Sequence, residues 1–237
     1  MTFSYDELPF GFVHIQASRL KAIICDMDGL LLDTEAVSWQ TFCAASKAVS
    51  LTPDKALFAK LTGLSGSAQR PVLAAGLPSD IDIAAFDQDW KQRYYHILAT
   101  NVPAKMDAAP FLELVRGAGL RLSIATSSHT MKAVAKLTKA GFISYFDHIT
   151  GGDQVAQSKP AADIYLRAIE RLGLLPDECL VFEDSNNGVR AAQAAGLPVV
   201  QVPDLQLPSK DFLAHGYLCA PNLLAALEIL NIGSGSE

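Results

Sequence analysis

Residues 21–29 read KAIICDMDG, a short apolar run followed at once by two aspartates and a glycine. An apolar run of this length, bounded by turn residues, predicts a β-strand that is buried on both faces of a parallel sheet. In an extended chain residues i and i+2 point the same way, so Asp26 and Asp28 can face one site. Gly29 lets the backbone turn sharply after them. The stretch therefore predicts a strand that carries two carboxylates to the sheet edge where open α/β sheets bind ligands.

Similar apolar runs recur along the chain and alternate with amphipathic segments. Helical periodicity is clear at 161–172 and at 189–195, and the second segment stops at Gly196, a residue suited to the end of a helix. Strands that alternate with helices predict βαβ units. We therefore predict an α/β fold with a Rossmann-like parallel sheet core and helices on both faces. The further predicted strands are 120–125, 180–182 and 199–202.

The stretch 36–105 breaks this alternation, because it contains no convincing strand. Within it, five apolar residues recur at steps of three and four, the spacing of one amphipathic helix that packs on a core. At roughly 150 residues per domain, the 237 residues suffice for about one and a half domains. We predict an all-helical cap domain at 36–105, inserted into a core domain of 1–35 and 106–237. The five residues are Ile83, Phe86, Trp90, Tyr94 and Ile97.

The composition excludes several classes of protein. Half of the residues are hydrophobic and 19% are charged, which is typical of a folded chain. The net charge of −6 argues against nucleic-acid binding. No apolar stretch approaches the ~18 residues of a membrane helix.

The four cysteines form no C-x-x-C pair and the first residues are acidic, so we expect free buried thiols, no secretory signal and a cytoplasmic location. Residues 1–19 are expected to lie along the surface and the GSGSE tail to fray.

A second pair of acids, Glu183 and Asp184, follows the predicted strand at 180–182. Two strands that bring carboxylates to one edge can form an oxygen-rich site of the kind that Mg²⁺ prefers. Taken alone, the pair is also explained as acids at a helix N-terminus, where the helix dipole favours negative charge. Likewise Asp26 and Asp28, taken alone, could be residues of a solvated turn.

Two further motifs contain groups that could bind an anion. Thr126, Ser127 and Ser128 come after the predicted strand at 120–125, where hydroxyls and free N–H groups at a helix start can bind an anion. They could equally be ordinary helix caps. Lys159 precedes Pro160 near the start of another predicted helix. It is either a surface lysine or the cation that an oxyanion beside clustered carboxylates requires.

In order and context these motifs resemble the haloacid dehalogenase-like hydrolases, specifically their phosphoglucomutase-like phosphatase branch. The resemblance runs from about 21 to 202, and it is weak across 36–105, where the family has its variable helical cap. The matching stretches are DMDGLLLDTE at 26–35, ATSS at 125–128, SKP at 158–160, VFEDSNNG at 181–188 and AAG at 194–196.

The resemblance implies a phosphatase that uses Mg²⁺ and an aspartyl-phosphate intermediate. Asp26 would be the nucleophile and Asp28 the general acid and base. Asp26, the backbone carbonyl of Asp28, and Asp184 would hold Mg²⁺, with Glu183 close by or bound through water.

By the same resemblance Thr126, the N–H of Ser127, and Lys159 would hold the phosphoryl oxygens. The substrate would be a small phosphorylated metabolite, such as a sugar phosphate. Neither nucleic acid nor membrane is an expected partner, and we expect a monomer or weak dimer.

Two alternatives stay open. A phosphomutase of the β-phosphoglucomutase type would carry an arginine after the segment that resembles 61–65, but this chain has Gly66 there and Arg70 one turn further on. A catalytically silent binding or regulatory protein could retain the same fold. Asp33 and Thr34 also match the sequence motif of the family. Their presence is explained equally well by an N-cap of the first cap helix.

Overall fold

In the computed structural model, the fold is organised around a five-stranded parallel sheet with the order β3-β2-β1-β4-β5. The structure describes residues 19–62, 64, 66–205, 207–214 and 217–233, so the expected surface leader and frayed tail lie almost wholly outside the described residues. The strands are β1 (Ala22–Cys25), β2 (Arg121–Thr126), β3 (His148–Gly151), β4 (Cys179–Glu183) and β5 (Val199–Gln201).

Ten α-helices occur within the described ranges. Four of them, α1 (Thr34–Ala48), α2 (Lys55–Leu61), α3 (Gly66–Gly76) and α4 (Ile83–Thr100), lie between β1 and β2. The remaining six are α5 (Ala108–Gly117), α6 (Thr130–Lys139), α7 (Asp163–Leu172), α8 (Asn186–Ala194), α9 (Lys210–Ala214) and α10 (Leu223–Ile229). Among these helices, none combines the length and apolarity needed to cross a membrane.

Both faces of the sheet are covered, because its central strands β1, β2 and β4 are mostly apolar and almost completely buried. On one face, Ile24 and Val181 pack with residues of α7 and α8 in a buried cluster. On the other face, Phe182 meets Phe111 of α5, with 4.9 Å between ring centroids. Strands buried on both sides are typical of parallel sheets between helices. The predicted α/β fold with a Rossmann-like core is confirmed.

One strand was not predicted from the sequence. Among the described strands the edge strand β3 pairs with β2 alone, and its residues His148 and Ile149 are half-buried. An edge strand needs no continuous apolar run, so hydrophobic patterning alone did not detect it. The predicted strands at 21–25, 120–125, 180–182 and 199–202 differ from the observed strands by one or two residues at their ends.

The described residues divide into two compact units: Asp33–Pro103, and the flanking segments Met1–Leu32 and Ala104–Glu237. The helical unit 33–103 has its own core, in which Phe42 makes edge-on contacts with Phe86 and Trp90. Phe86 and Trp90 are buried, whereas Tyr94 is half-buried. The periodic stripe of α4 therefore supplies core packing, as predicted.

Candidate active site

Polar side chains meet at the carboxyl ends of three adjacent strands. β1 lies between β2 and β4, and Cys25 is level with Ile124 and Phe182. Asp26, the next residue, donates its N–H to the Phe182 carbonyl at 3.0 Å. Thr126 and Glu183 end the neighbouring strands. The parallel register thus brings residues 100 and more positions apart in the sequence to one edge of the sheet.

Lys159 ties these strand ends together. Its ammonium donates hydrogen bonds to Asp26 Oδ1 at 2.5 Å, Glu183 Oε1 at 2.6 Å and the Ala125 carbonyl at 2.9 Å. Only 5% of the side chain is exposed. An ammonium has three donors, so these three bonds satisfy it fully. Lys159 is therefore a buried cation that bridges all three strands, and the alternative of a plain surface lysine is wrong.

The electrostatics of this group are dominated by burial. Burial raises the pKa of Asp26 to about 7, although the charge of Lys159 acts in the opposite direction. For Lys159, burial lowers the pKa, but the charges of Asp26 and Glu183 outweigh it and hold the pKa above its usual value. One ammonium between two carboxylates leaves an excess of negative charge at the strand ends.

Glu183 is fully buried and is held by protein donors at both oxygens. Oε1 accepts from Lys159 and from the Tyr165 hydroxyl at 2.8 Å. Oε2 accepts from the backbone N–H and the hydroxyl of Ser185, each at 3.1 Å. A side chain on Gly188 would collide with the same carboxylate. Glu183 therefore orients Lys159 and the start of α8 in this structure. Ser185 also caps α8, because its hydroxyl accepts from Gly188 N at 3.1 Å.

Tyr165→Phe is expected to destabilise the protein by about 1.5–3 kcal/mol, because a buried charged acceptor loses one of its hydrogen bonds. Tyr165 is fully buried in α7 and its hydroxyl donates to Glu183 Oε1. Urea denaturation measures the loss. Tyr145→Phe is the control, since Tyr145 is half-buried and lies in a short helical turn away from these strand ends. Equal stability of the Tyr165→Phe and Tyr145→Phe variants would contradict this account.

Asp28 is held from a different side. Ser128 Oγ donates to Asp28 Oδ2 at 2.7 Å, and Lys136 Nζ donates to Asp28 Oδ1 at 2.7 Å. Ser128 follows β2, and Lys136 lies in the second turn of α6. Asp26 and Asp28 thus share one strand end, as the i, i+2 spacing predicted, but bind different lysines.

The loop 126–130 is fixed by its neighbours. Thr126 Oγ1 accepts from Ser128 N at 3.1 Å, which leaves its own hydroxyl proton to be donated elsewhere. The helix α6 is capped by His129, whose Nδ1 accepts from Met131 N at 3.3 Å, so the alternative that the preceding hydroxyls cap it is wrong. Gly152 lies so close that a Cβ on it would be 2.6 Å from the Ser127 carbonyl.

Asp33 is at the N-cap position of α1, but its side chain accepts no cap hydrogen bond from that helix. The N-cap explanation for Asp33 is therefore only half right. Thr34, the first residue of α1, is buried.

Two of the residues expected to hold Mg²⁺ are almost completely buried at the sheet edge. Asp26 and Asp184 are each 7% exposed and follow neighbouring strands. Gly29 has a φ of +91°, and a Cβ there would lie 2.5 Å from Asp184 Oδ2. Only a glycine turn lets the Asp184 carboxylate approach the chain just after Asp28 this closely.

These donors fit a hard cation. Within the described ranges no three His, Cys, Asp or Glu side chains are grouped as a metal site. The predicted set does not require three such side chains, since it combines the carboxylates of Asp26 and Asp184 with the backbone carbonyl of Asp28. All are oxygens, the ligand type of Mg²⁺, which often keeps several waters as its other ligands.

Three contributors to the site were not identified from the sequence as such: Lys136, Tyr165 and the hydroxyl of Ser128 as a partner of Asp28. Lys136 is one of four lysines between 132 and 159, and no spacing rule separates it from the exposed Lys132 or Lys139. Tyr165 was overlooked because a tyrosine on the apolar face of α7 is indistinguishable from ordinary core.

Comparisons with known proteins identify the family of the chain. A family model described as haloacid dehalogenase-like hydrolase matches residues 23–202. Protein CbbY of Rhodobacter capsulatus is 39% identical over 220 residues, which are 88% of this chain and 96% of that protein. A phosphorylated carbohydrates phosphatase of Thermotoga maritima is 32% identical over 181 residues, covering 75% of this chain and 82% of that protein.

Among solved structures, CbbY from Rhodobacter sphaeroides in complex with phosphate has a TM-score of 0.70 and 27% identity, covering 88% of this chain and 96% of that one. The family model spans most of the chain, and relatives above 30% identity cover more than two thirds of it. The chain is therefore an enzyme of the haloacid dehalogenase-like hydrolase family, as its motifs predicted.

Proposed function

We propose that this enzyme is a Mg²⁺-dependent phosphatase that hydrolyses a small phosphomonoester, of the sugar-phosphate class, through an aspartyl phosphate. The observation that carries the proposal is the buried Lys159, which holds Asp26 at the strand ends beside Thr126. An acceptor carboxylate, a cation and a hydroxyl in one place are what phosphoryl transfer requires. The name of the Thermotoga maritima relative, a phosphorylated carbohydrates phosphatase, supports this substrate class.

In the first step an oxygen of Asp26 attacks phosphorus and the P–O bond to the leaving alcohol breaks. The electron pair of that bond goes to the alcohol oxygen, which receives a proton from the protonated Asp28 carboxyl. The Thr126 hydroxyl and the N–H of Ser127 bind the phosphoryl oxygens and hold phosphorus in line with Asp26. Lys159 joins them by exchanging its hydrogen bond to Asp26 for one to a phosphoryl oxygen, while it keeps its bonds to Glu183 and the Ala125 carbonyl.

In the second step a water molecule attacks phosphorus and gives a proton to Asp28, which now acts as a base. The bond between phosphorus and Asp26 breaks, and its electron pair returns to the carboxylate. Inorganic phosphate leaves, and Asp28 has regained the proton it lost. The two carboxylates are thus restored to their starting states after each turnover.

Asp26, the carbonyl of Asp28, and Asp184 would hold Mg²⁺. When bound, the ion supplies positive charge that offsets the negative charge of the carboxylates and of the phosphoryl group. Glu183 then acts by orienting Lys159, because its own oxygens already accept four hydrogen bonds from protein groups.

The helical unit 33–103 would be the cap that selects the substrate and excludes water.

Arg70 lies 3.6 Å from the buried Asp87 carboxylate within this unit. This contact is loose, since 63% of the Arg70 side chain is exposed. The residue that favours a phosphatase over a mutase is Gly66, which stands where a mutase has the arginine that binds a second phosphate. The four cysteines are free thiols, which supports the proposed cytoplasmic location, although Cys43 is half-buried rather than buried.

The proposal is tested by phosphate release from a panel of sugar phosphates and para-nitrophenyl phosphate, with Mg²⁺ and with EDTA. We expect turnover with Mg²⁺, a loss of at least about 100-fold in EDTA, and recovery when Mg²⁺ is added back. Asp184→Asn is expected to raise the Mg²⁺ concentration needed for half-maximal activity.

Isomerised product without net phosphate release, dependent on a sugar bisphosphate, would favour the mutase. No turnover of any ester would favour a silent binding protein.

A further inference from the structure

Lys136 reaches a catalytic carboxylate from a helix that carries none of the predicted site residues. It lies in the second turn of α6, and its ammonium is 2.7 Å from Asp28 Oδ1. Only 11% of the Lys136 side chain is exposed, against 22% for Asp28. Ser128 Oγ donates a hydrogen bond to the other oxygen of Asp28, Oδ2, also at 2.7 Å. Each oxygen of Asp28 therefore has its own side-chain donor.

Two donors on opposite oxygens restrict a carboxylate far more than one does. A single hydrogen bond leaves the Asp28 side chain free to rotate about its last torsion, which is broad for aspartate. A second donor at the other oxygen fixes both the torsion and the plane of the carboxylate. Because the Lys136 ammonium is charged, its bond is also the stronger of the two.

The helix that carries Lys136 is itself anchored at the strand ends. Asp153 Oδ1 accepts from the backbone N–H of Thr130 at 2.6 Å and from its hydroxyl at 2.8 Å. Thr130 is the first residue of α6. Asp153 comes two residues after the end of β3 at Gly151. These hydrogen bonds hold the N-terminus of α6 at the edge of the sheet, so the position of Lys136 is set by the sheet.

We propose that Lys136, together with Ser128, is a positioning residue that holds the carboxyl group of Asp28 in the geometry for proton transfer to the leaving group. The inference rests on the proposed phosphatase function, in which Asp28 is the general acid. Proton transfer depends steeply on geometry, and displacement by about 1 Å can cost about 100-fold in rate.

A positioning role has a specific signature in the choice of leaving group. Para-nitrophenolate leaves without being protonated, so its ester depends little on a general acid. Phenolate is a much poorer leaving group, so phenyl phosphate depends on Asp28. A loss of Asp28 geometry therefore lowers kcat/KM for phenyl phosphate more than for para-nitrophenyl phosphate. A merely structural defect reduces the active fraction of enzyme and lowers both values equally.

The experiment compares Lys136→Met with the wild-type enzyme on both esters, with Mg²⁺ present. We expect kcat/KM to fall about 30-fold for phenyl phosphate and about threefold for para-nitrophenyl phosphate, a change of about tenfold in their ratio. Lys136→Arg keeps the charge and is expected to recover most of the ratio. Lys139→Met is the matched control, because Lys139 is an exposed lysine of the same helix, and its ratio should equal that of the wild type.

Ser128→Ala provides an independent test that leaves Lys136 in place. Removal of the second donor is expected to shift the same ratio in the same direction, by about threefold. An unchanged ratio in both Lys136→Met and Ser128→Ala, with the wild type active on both esters, overturns the inference and leaves the phosphatase proposal standing. If the wild type releases no phosphate from these two esters or from any sugar phosphate of the panel, the phosphatase proposal is overturned, and the inference with it.

Discussion

Asp26→Asn is expected to lower kcat for phosphate release by at least about 1,000-fold. An amide oxygen is a far weaker nucleophile than a carboxylate, and no other acid follows β1 directly. The variant should nevertheless fold, because asparagine has nearly the same shape. Lys159 would keep its bonds to Glu183 and to the Ala125 carbonyl.

Phosphate release from the best substrate of the panel measures this loss, and circular dichroism checks the fold. Asp177→Asn is the control: Asp177 is half-exposed, is paired with Arg19 and should not affect turnover. A second readout is mass spectrometry of enzyme quenched during turnover, in which the wild type should gain one phosphoryl group and the Asp26→Asn variant none. Retention of even a tenth of wild-type activity by Asp26→Asn would rule out Asp26 as the nucleophile.

Lys159→Met is expected to destabilise the protein by about 3–5 kcal/mol and to abolish turnover. The Lys159 ammonium is paired with both Asp26 and Glu183, and Glu183 is fully buried. Methionine preserves much of the stem volume, so the loss comes from leaving two buried carboxylates without their cation. Guanidinium denaturation measures the free energy of unfolding.

A double variant separates the charge effect from packing. Lys159→Met combined with Glu183→Gln removes one of the unpaired charges, so it should be more stable than Lys159→Met alone. Lys21→Met is the surface control: the Lys21–Glu178 pair has a similar distance of 2.5 Å, but 59% of the lysine side chain is exposed, so stability should hardly change. A loss below about 1 kcal/mol in Lys159→Met would contradict the role of Lys159 as a buried cation.

Much of the fold follows from local pattern. Four of the five strands and the long helix α4 were predicted because apolar runs and helical periodicity report burial directly. β3 was not, since an edge strand is only partly buried and its sequence HITG carries no such signal. Helix ends also differed: the segment predicted from 161 begins as α7 at Asp163. Helix ends depend on which backbone groups find partners, and periodicity does not report this.

Local sequence patterns are enough to predict which strand ends carry acids, which carries hydroxyls, and that one lysine accompanies them. They can do so because strand ends, turns and i, i+2 spacing are local properties of the chain. How these groups pair with one another follows from the three-dimensional arrangement of the chain. It pairs Lys159 with Asp26 and Glu183, and Lys136 with Asp28, over separations of 24 to 133 residues. Those pairings depend on the register of parallel strands and the position of α6, neither of which is encoded in any short stretch of sequence.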